Sequence, residues 1–314
     1  LEGPPPATDR MADADGKESP AVKLAYSTLA CPRMPLEDAL AIGTHAGYEG
    51  VELRLIDGDL IDPHLPERER RRVRRAAEDA GLVVAAVDSS IRVADPAPPD
   101  TLVREIEAFV DLAADWGAGV VRVFGGSLPD DPKARQERLG AAAEVLSEAA
   151  ARAAERSVRI GLETHDSFLA AATVADVLRR VPSPAVGAVW DSHHPCRAGE
   201  TAEAVDQSIG ARVVLAQVKD ARRTPDRPEE WELVPLGEGE VPVRRMLELL
   251  HARRYQGWVS VEWERHWHPE LAEPQIALPA HFALLRKWLE DIEAGDSGGG
   301  QPAVTRPAGG SPTQ

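Results

Sequence analysis

VRIGLE at residues 158–163, VGAVWD at 186–191, ARVVLAQVK at 211–219 and WVSVE at 258–262 are four short apolar runs of one kind. Each is rich in β-branched residues and reads as a buried strand. Each also ends in, or carries near its end, a side chain that offers oxygen: Glu163, Asp191, Gln217 and Glu262. Parallel strands ending side by side would bring these four groups together across long stretches of sequence. Three carboxylates and one carboxamide around a point suit a hard divalent cation such as Mg²⁺ or Mn²⁺.

Working outward, four more runs have the same character: VKLAYST (22–28), GVELR (50–54), LVVAAVD (82–88) and GVVRVFG (119–125). A segment with apolar residues three and four apart follows each of the eight, over 35–46, 66–80, 100–116, 132–156, 170–181, 201–209, 241–254 and 275–291. Near-continuous apolar strands alternating with amphipathic helices imply a parallel sheet covered on its outer side. Eight βα units in one run predict a single (β/α)₈ TIM barrel over residues 21–292, with disordered tails at 1–20 and 293–314. A doubly wound open sheet is the alternative. It would usually carry a glycine-rich turn after an early strand, and ACPRMP at 30–35 is not one.

Composition narrows the partners. The 314 residues are 43% hydrophobic with a mean hydropathy of −0.29, enough for a sizeable core. No apolar run approaches the roughly 20 residues of a membrane span. With no secretory signal visible and only two cysteines, Cys31 and Cys196, a reduced cytoplasmic location is expected. The net charge is −16, of which the first twenty residues carry −3 and residues 292–314 carry −1, leaving −12 on residues 21–291. An acidic barrel disfavours a nucleic-acid partner, which is held through clustered Lys and Arg. The arginine run ERERRRVRR at 67–75 lies on a helical pattern with interleaved Glu and is expected to be a solvated face. Exposed tryptophans near 258–267 would permit a homo-oligomeric contact over the barrel mouth.

In a β/α barrel, functional side chains sit at the C-terminal ends of the strands. Polar residues crowd there: Glu52 and Arg54, Asp88, Arg122, Glu163 and His165, Asp191, His193 and His194, Gln217, Lys219 and Asp220, then Glu262 and Glu264. A lone strand-end acid is more often a cap or a solvent residue. Several together repel unless a cation compensates them. Glu264, beside Glu262, is expected to point away from the barrel axis and not to be a ligand. Trp190, Trp263 and Trp267 could form a stacking wall or pack in the core.

The stretches GLETH, VWDSHHPCRAGET, AQVKDARR, PLGEGEVPVRRML and GWVSVEWERHWHPEL resemble the sugar phosphate isomerase/epimerase superfamily with the xylose isomerase-like barrel. The resemblance spans roughly residues 22–291 and is densest from 158 to 270. It implies one divalent metal held by Glu163, Asp191, Gln217 and Glu262, with Gln217 standing where most members have His. It implies that Glu163 and Glu262 also move protons at a carbon next to the substrate carbonyl. It further implies that His194 holds a substrate oxygen, in the spacing D-x-x-H, and that Arg223 binds substrate. His165, Lys219 and Glu52 are expected to orient ligands or substrate. An all-oxygen set favours Mn²⁺ or Mg²⁺, with Co²⁺ and Zn²⁺ within its range. The expected substrate is a small sugar, keto-sugar or cyclitol.

Three other functions fit the same barrel. A metal-dependent lyase or dehydratase acting on an inosose or oxidised glycoside would use the same ligands. An endonuclease IV-like nuclease would need additional zinc-binding histidines, and no D-x-H occurs between residues 220 and 240. A non-catalytic sugar-binding barrel would have no reason to keep all four oxygen ligands.

Overall fold

The computed structural model describes residues 22–297. Eight parallel strands form a closed barrel: β1 (Lys23–Ser27), β2 (Gly50–Leu53), β3 (Val83–Arg92), β4 (Val120–Phe124), β5 (Arg159–Glu163), β6 (Val186–Asp191), β7 (Val213–Val218) and β8 (Trp258–Val261). Their order around the barrel is β1-β8-β7-β6-β5-β4-β3-β2, so chain neighbours are spatial neighbours and β8 closes on β1. The outer layer holds α1 (Leu36–Ala46), α2 (Glu67–Asp79), α3 (Pro99–Trp116), α4 (Pro132–Glu155), α5 (Ala171–Leu178), the single turn α6 (His193–Arg197), α7 (Ala202–Ile209), α8 (Val243–Ala252) and α9 (Pro274–Ser297).

Every residue of β6 and β7 is buried, as strands walled by helices on one side and by the barrel interior on the other require. The helices begin and end where local chemistry dictates. Asp131 and Thr201 accept the backbone N–H three residues on, at 2.8 and 3.2 Å, and so start α4 and α7. Gly47 and Gly117 end α1 and α3 in the left-handed conformation, at φ 99° and 75°.

The lumen is layered by strand alternation. Ala86, Val120, Val189, Val214 and Leu215 form a small apolar cluster separate from the outer core. Two residues further along four of these strands stand Asp88, Arg122, Asp191 and Gln217, so an apolar floor underlies a polar mouth. The sequence expectation of eight βα units is met, with strand limits shifted by at most a few residues. Besides three short 3-10 turns, α6, a small hairpin over Leu55–Leu60 and a larger one over Asp220–Val234 were not expected. Helix α9 continues through Ser297, past the expected boundary at 292. The tail expected at 1–20 lies outside the described residues, as does the rest of the C-terminal one. Among the described residues no helix is long and apolar enough to cross a membrane.

Candidate active site

Glu163, Asp191 and Glu262 present carboxylate oxygens that all lie within 4.8 Å of one another. All three side chains are buried. Asp191 is fixed by its own helix: its Oδ1 accepts the backbone N–H groups of His193 and His194 at 2.8 and 2.9 Å, which starts the turn α6. Its Oδ2 is left buried with no hydrogen bond from those groups and lies 3.1 Å from Lys219 Nζ. Gln217 pairs in register with Asp191 on one side and Ser260 on the other. Its Nε2 donates to Glu52 Oε1 at 2.6 Å, while its Oε1 is buried without a hydrogen-bond donor. A carboxylate acceptor at the amide nitrogen leaves the amide oxygen as the atom offered elsewhere.

Two cations thread these acids. Lys219 Nζ lies 2.5 Å from Glu262 Oε2 and also contacts Glu264. Arg122 on β4 reaches acids on both neighbouring strands, with Nε 3.0 Å from Glu163 Oε2 and Nη2 3.3 Å from Asp88 Oδ2. Electrostatics follow from these contacts. Burial pushes the Glu262 carboxyl up to about 8, with Lys219 pulling the other way and Glu264, Glu163 and Asp191 adding to the rise. Burial also raises Glu163, against the pull of Arg122 and His165. Asp191 is held below its ordinary range: burial opposes this, but Lys219, His194 and His193 prevail. The acids around it hold Lys219 well above its ordinary value despite its burial.

A divalent cation fits this donor set. Gln217 Oε1 and Asp191 Oδ2 are buried oxygens without hydrogen bonds, and Glu163 and Glu262 offer two more beside Asp191. Lys219 keeps Glu264 as a partner if Asp191 and Glu262 turn toward an ion. A second cluster, Glu163, His165 and His194, has ligand atoms equally close. The His194 and His165 rings meet edge to face at 4.4 Å, and His194 Nε2 is buried without a partner. Burial holds His194 well below its ordinary value, which favours the neutral ring.

Above the acids opens a cavity of about 420 Å³, walled by Arg54, Arg92, Arg122, Phe124, Glu163, His165, Glu262, Glu264 and Trp267, among others. Of the expected site residues, Glu163, His165 and Glu262 line it, and Asp191, Gln217, Lys219 and His194 lie against that group. Two others lie apart from it. Glu52 is fully buried and bonded to Gln217. Arg223 stands on the hairpin after β7, 55% exposed, over the Trp231 ring and 3.9 Å from Glu240. It is not among the cavity-lining residues.

Glu264 is a correction. It was expected to face away, but residues two apart along an extended strand share a face, so Glu264 lies on the side of Glu262 and meets the same Lys219. The tryptophans divide: Trp190 and Trp263 are core residues, whereas Trp267 is 53% exposed at the cavity rim. Asp220 belongs to the scaffold, accepting the N–H groups of Ala221, Gly237, Gly239 and Val241. A larger open groove of about 860 Å³ runs between α1 and α2. Its Arg68, Arg71 and Arg72 pair with neighbouring Glu residues, as a solvated helix face does.

A model of xylose isomerase-like TIM barrels matches residues 40–288. Among solved structures, a D-tagatose 3-epimerase-like protein superposes with a TM-score of 0.70 at 19% identity, covering 88% of this chain and 100% of that one. The IolI protein with a bound zinc atom gives 0.70 at 17%, covering 87% and 99%. A probable 3-DHS dehydratase, AsbF from Bacillus anthracis, gives 0.67 at 17%, covering 84% and 99%. At these identities the likeness is one of fold. No curated protein matches the chain by sequence.

Proposed function

Because the chain belongs to the xylose isomerase-like TIM barrel family, we propose that it is a metal-dependent isomerase or epimerase of a small keto-sugar or cyclitol. The observation that carries this reading is the convergence of Glu163, Asp191 and Glu262 with ligand atoms within 4.8 Å of one another at the floor of a cavity. Glu163, Asp191, Gln217 Oε1 and Glu262 would hold the ion, and Mn²⁺ or Mg²⁺ suits four oxygens best. Bound there, a divalent cation supplies Lewis acidity that makes the carbon next to a sugar carbonyl easier to deprotonate.

The protein's own groups do the rest. Glu163 and Glu262 rise from β5 and β8, which β6 and β7 separate, so they flank the cavity floor from two sides. One takes the proton from carbon, and the other returns one. Return to the opposite face of the same carbon gives epimerisation, and return to the neighbouring carbon gives isomerisation. Arg122, in contact with Glu163, stabilises its carboxylate after it has delivered a proton. Lys219 does the same for Glu262. His165, held through Nδ1 by Asp166 at 2.9 Å, offers its other nitrogen to a substrate hydroxyl.

Glu262 favours a second reading. Its carboxyl, which burial pushes up to about 8, could protonate a departing hydroxyl and turn proton abstraction by Glu163 into loss of water, while Glu264 keeps Lys219 paired. One experiment tests both. The Mn²⁺-loaded protein is incubated in D₂O with a panel of ketoses and inososes. Deuterium beside the carbonyl without net water loss supports isomerisation, and water loss supports elimination. Glu163→Gln is expected to lower kcat by about 10²–10⁴-fold. Absence of stoichiometric divalent metal, together with undiminished activity in that variant, sinks the proposal.

A further inference from the structure

We propose that the substrate carries a carboxylate and that Arg54 receives it; this rests on the reading of the cavity given above. Arg54 follows β2 and is 6% exposed, one of the cations on the cavity wall. Its position is fixed from behind, since Thr28 Oγ1 accepts the backbone N–H groups of Arg54 and Leu55 at 2.9 and 2.8 Å. Its guanidinium donates once within the protein, from Nη1 to the carbonyl oxygen of Asp88 at 3.2 Å. It also stands 5.9 Å from the Phe124 ring. Among the described residues no carboxylate comes within 4.0 Å of it.

The other cations of the mouth are matched. Arg122 has Asp88 and Glu163, Lys219 has Asp191, Glu262 and Glu264, and Arg92 has Asp166 at 3.4 Å. A guanidinium with no carboxylate in direct contact has donors free for a ligand. Burial and the like charge of Arg122 lower Arg54 only to about 10, against the more distant pull of Asp88, Glu163 and Glu262, so it stays charged at neutral pH. Its free donors form a flat fork, which matches the two coplanar oxygens of a carboxylate. A phosphate ester carries nearly two charges and would draw on a second unpaired cation, but the half-exposed Arg92 is already engaged by Asp166. The class indicated is a sugar acid or a cyclic keto acid, with its carboxylate at the β2 side of the mouth.

The test uses probes matched except at one terminus: hexuronates, the corresponding hexoses, and the corresponding hexose 6-phosphates. Calorimetric binding is measured on the wild type, Arg54→Met and Arg54→Lys, with and without Mn²⁺. At least one hexuronate is expected to bind about ten- to a hundredfold more tightly than its hexose, as a charge-assisted pair allows. Arg54→Met should erase that preference, and Arg54→Lys should restore part of it.

The proposal is overturned if no hexuronate outbinds its hexose, if the phosphate esters are preferred, or if Arg54→Met keeps the preference. Should Arg54→Met fail to fold by circular dichroism, the wild-type ranking of the three probe classes decides. The two proposals fail separately. A carboxylate preference in protein that exchanges no deuterium leaves the anion site standing and the isomerase reading fallen. Exchange into neutral sugars without such a preference does the reverse.

Discussion

Gln217, proposed as the ligand that stands where most members of the resembled superfamily have His, brings a requirement of its own. An imidazole has few ring orientations, whereas a carboxamide can turn over and present either oxygen or nitrogen. Nitrogen of an amide is no ligand for a hard cation, so something must hold the rotamer. Glu52 does so from across the lumen, through the 2.6 Å bond to Nε2. Groups that orient a ligand in this way typically contribute about 10–100-fold to metal affinity. Glu52→Met is therefore expected to weaken Mn²⁺ binding by about that factor, read by titration of the free Mn²⁺ signal in electron paramagnetic resonance. Unchanged affinity would mean that the amide needs no such help.

At the scale of the element, the strands were the legible part. Glu163, Asp191 and Glu262 could be assigned to one point because β-branched runs fix strand ends, and strand ends fix the mouth. What could not be read were contacts made across the lumen. Glu264 was legible by contrast, since its two-residue spacing from Glu262 sets both on one face, where both meet Lys219. The Glu52–Gln217 bond joins strands that are not neighbours in the barrel order. The hairpin over Asp220–Val234, which carries Arg223 away from the cavity, was signalled only by the turn residues Pro225 and Asp226 between two polar strands.

Strand packing itself makes a prediction at β6. A Cβ at Gly187 would lie 2.5 Å from the carbonyl oxygen of Arg212 and 2.3 Å from Val214 Cγ1. The carbonyl is backbone and cannot swing aside. Gly187→Ala is thus expected to lower the unfolding free energy by about 1–3 kcal/mol, seen as a lower denaturant midpoint at constant slope.

For the whole molecule, acid stability has a readable component. His281 on α9 packs edge to face on Trp263 at 4.9 Å, and neither ring nitrogen has a hydrogen-bond partner. Burial alone lowers it from 6.5 to about 4. Its folded value is depressed, so the unfolded chain takes up a proton at a pH where the native protein does not. This share of stability is complete above pH 6.5 and declines as the pH falls toward 4. The full loss is on the order of 3 kcal/mol. His281→Phe, which keeps the ring and removes the titration, should flatten the stability profile over that interval, measured by urea unfolding at stepped pH. An unaltered slope would assign the acid loss to other groups, among them His193 and His194, whose values burial also lowers.

The pairing of Lys219 and Arg122 with the acids of the mouth bears on how such a protein comes into being. Carboxylates that crowd together ordinarily delay closure until an ion arrives to reconcile them. Here the nascent chain brings its own reconciling charges, from β4 and from the end of β7. If the site takes an ion as proposed, the barrel is expected to close without it, so that chelation should strip the metal and leave the circular dichroism spectrum of the folded protein unchanged.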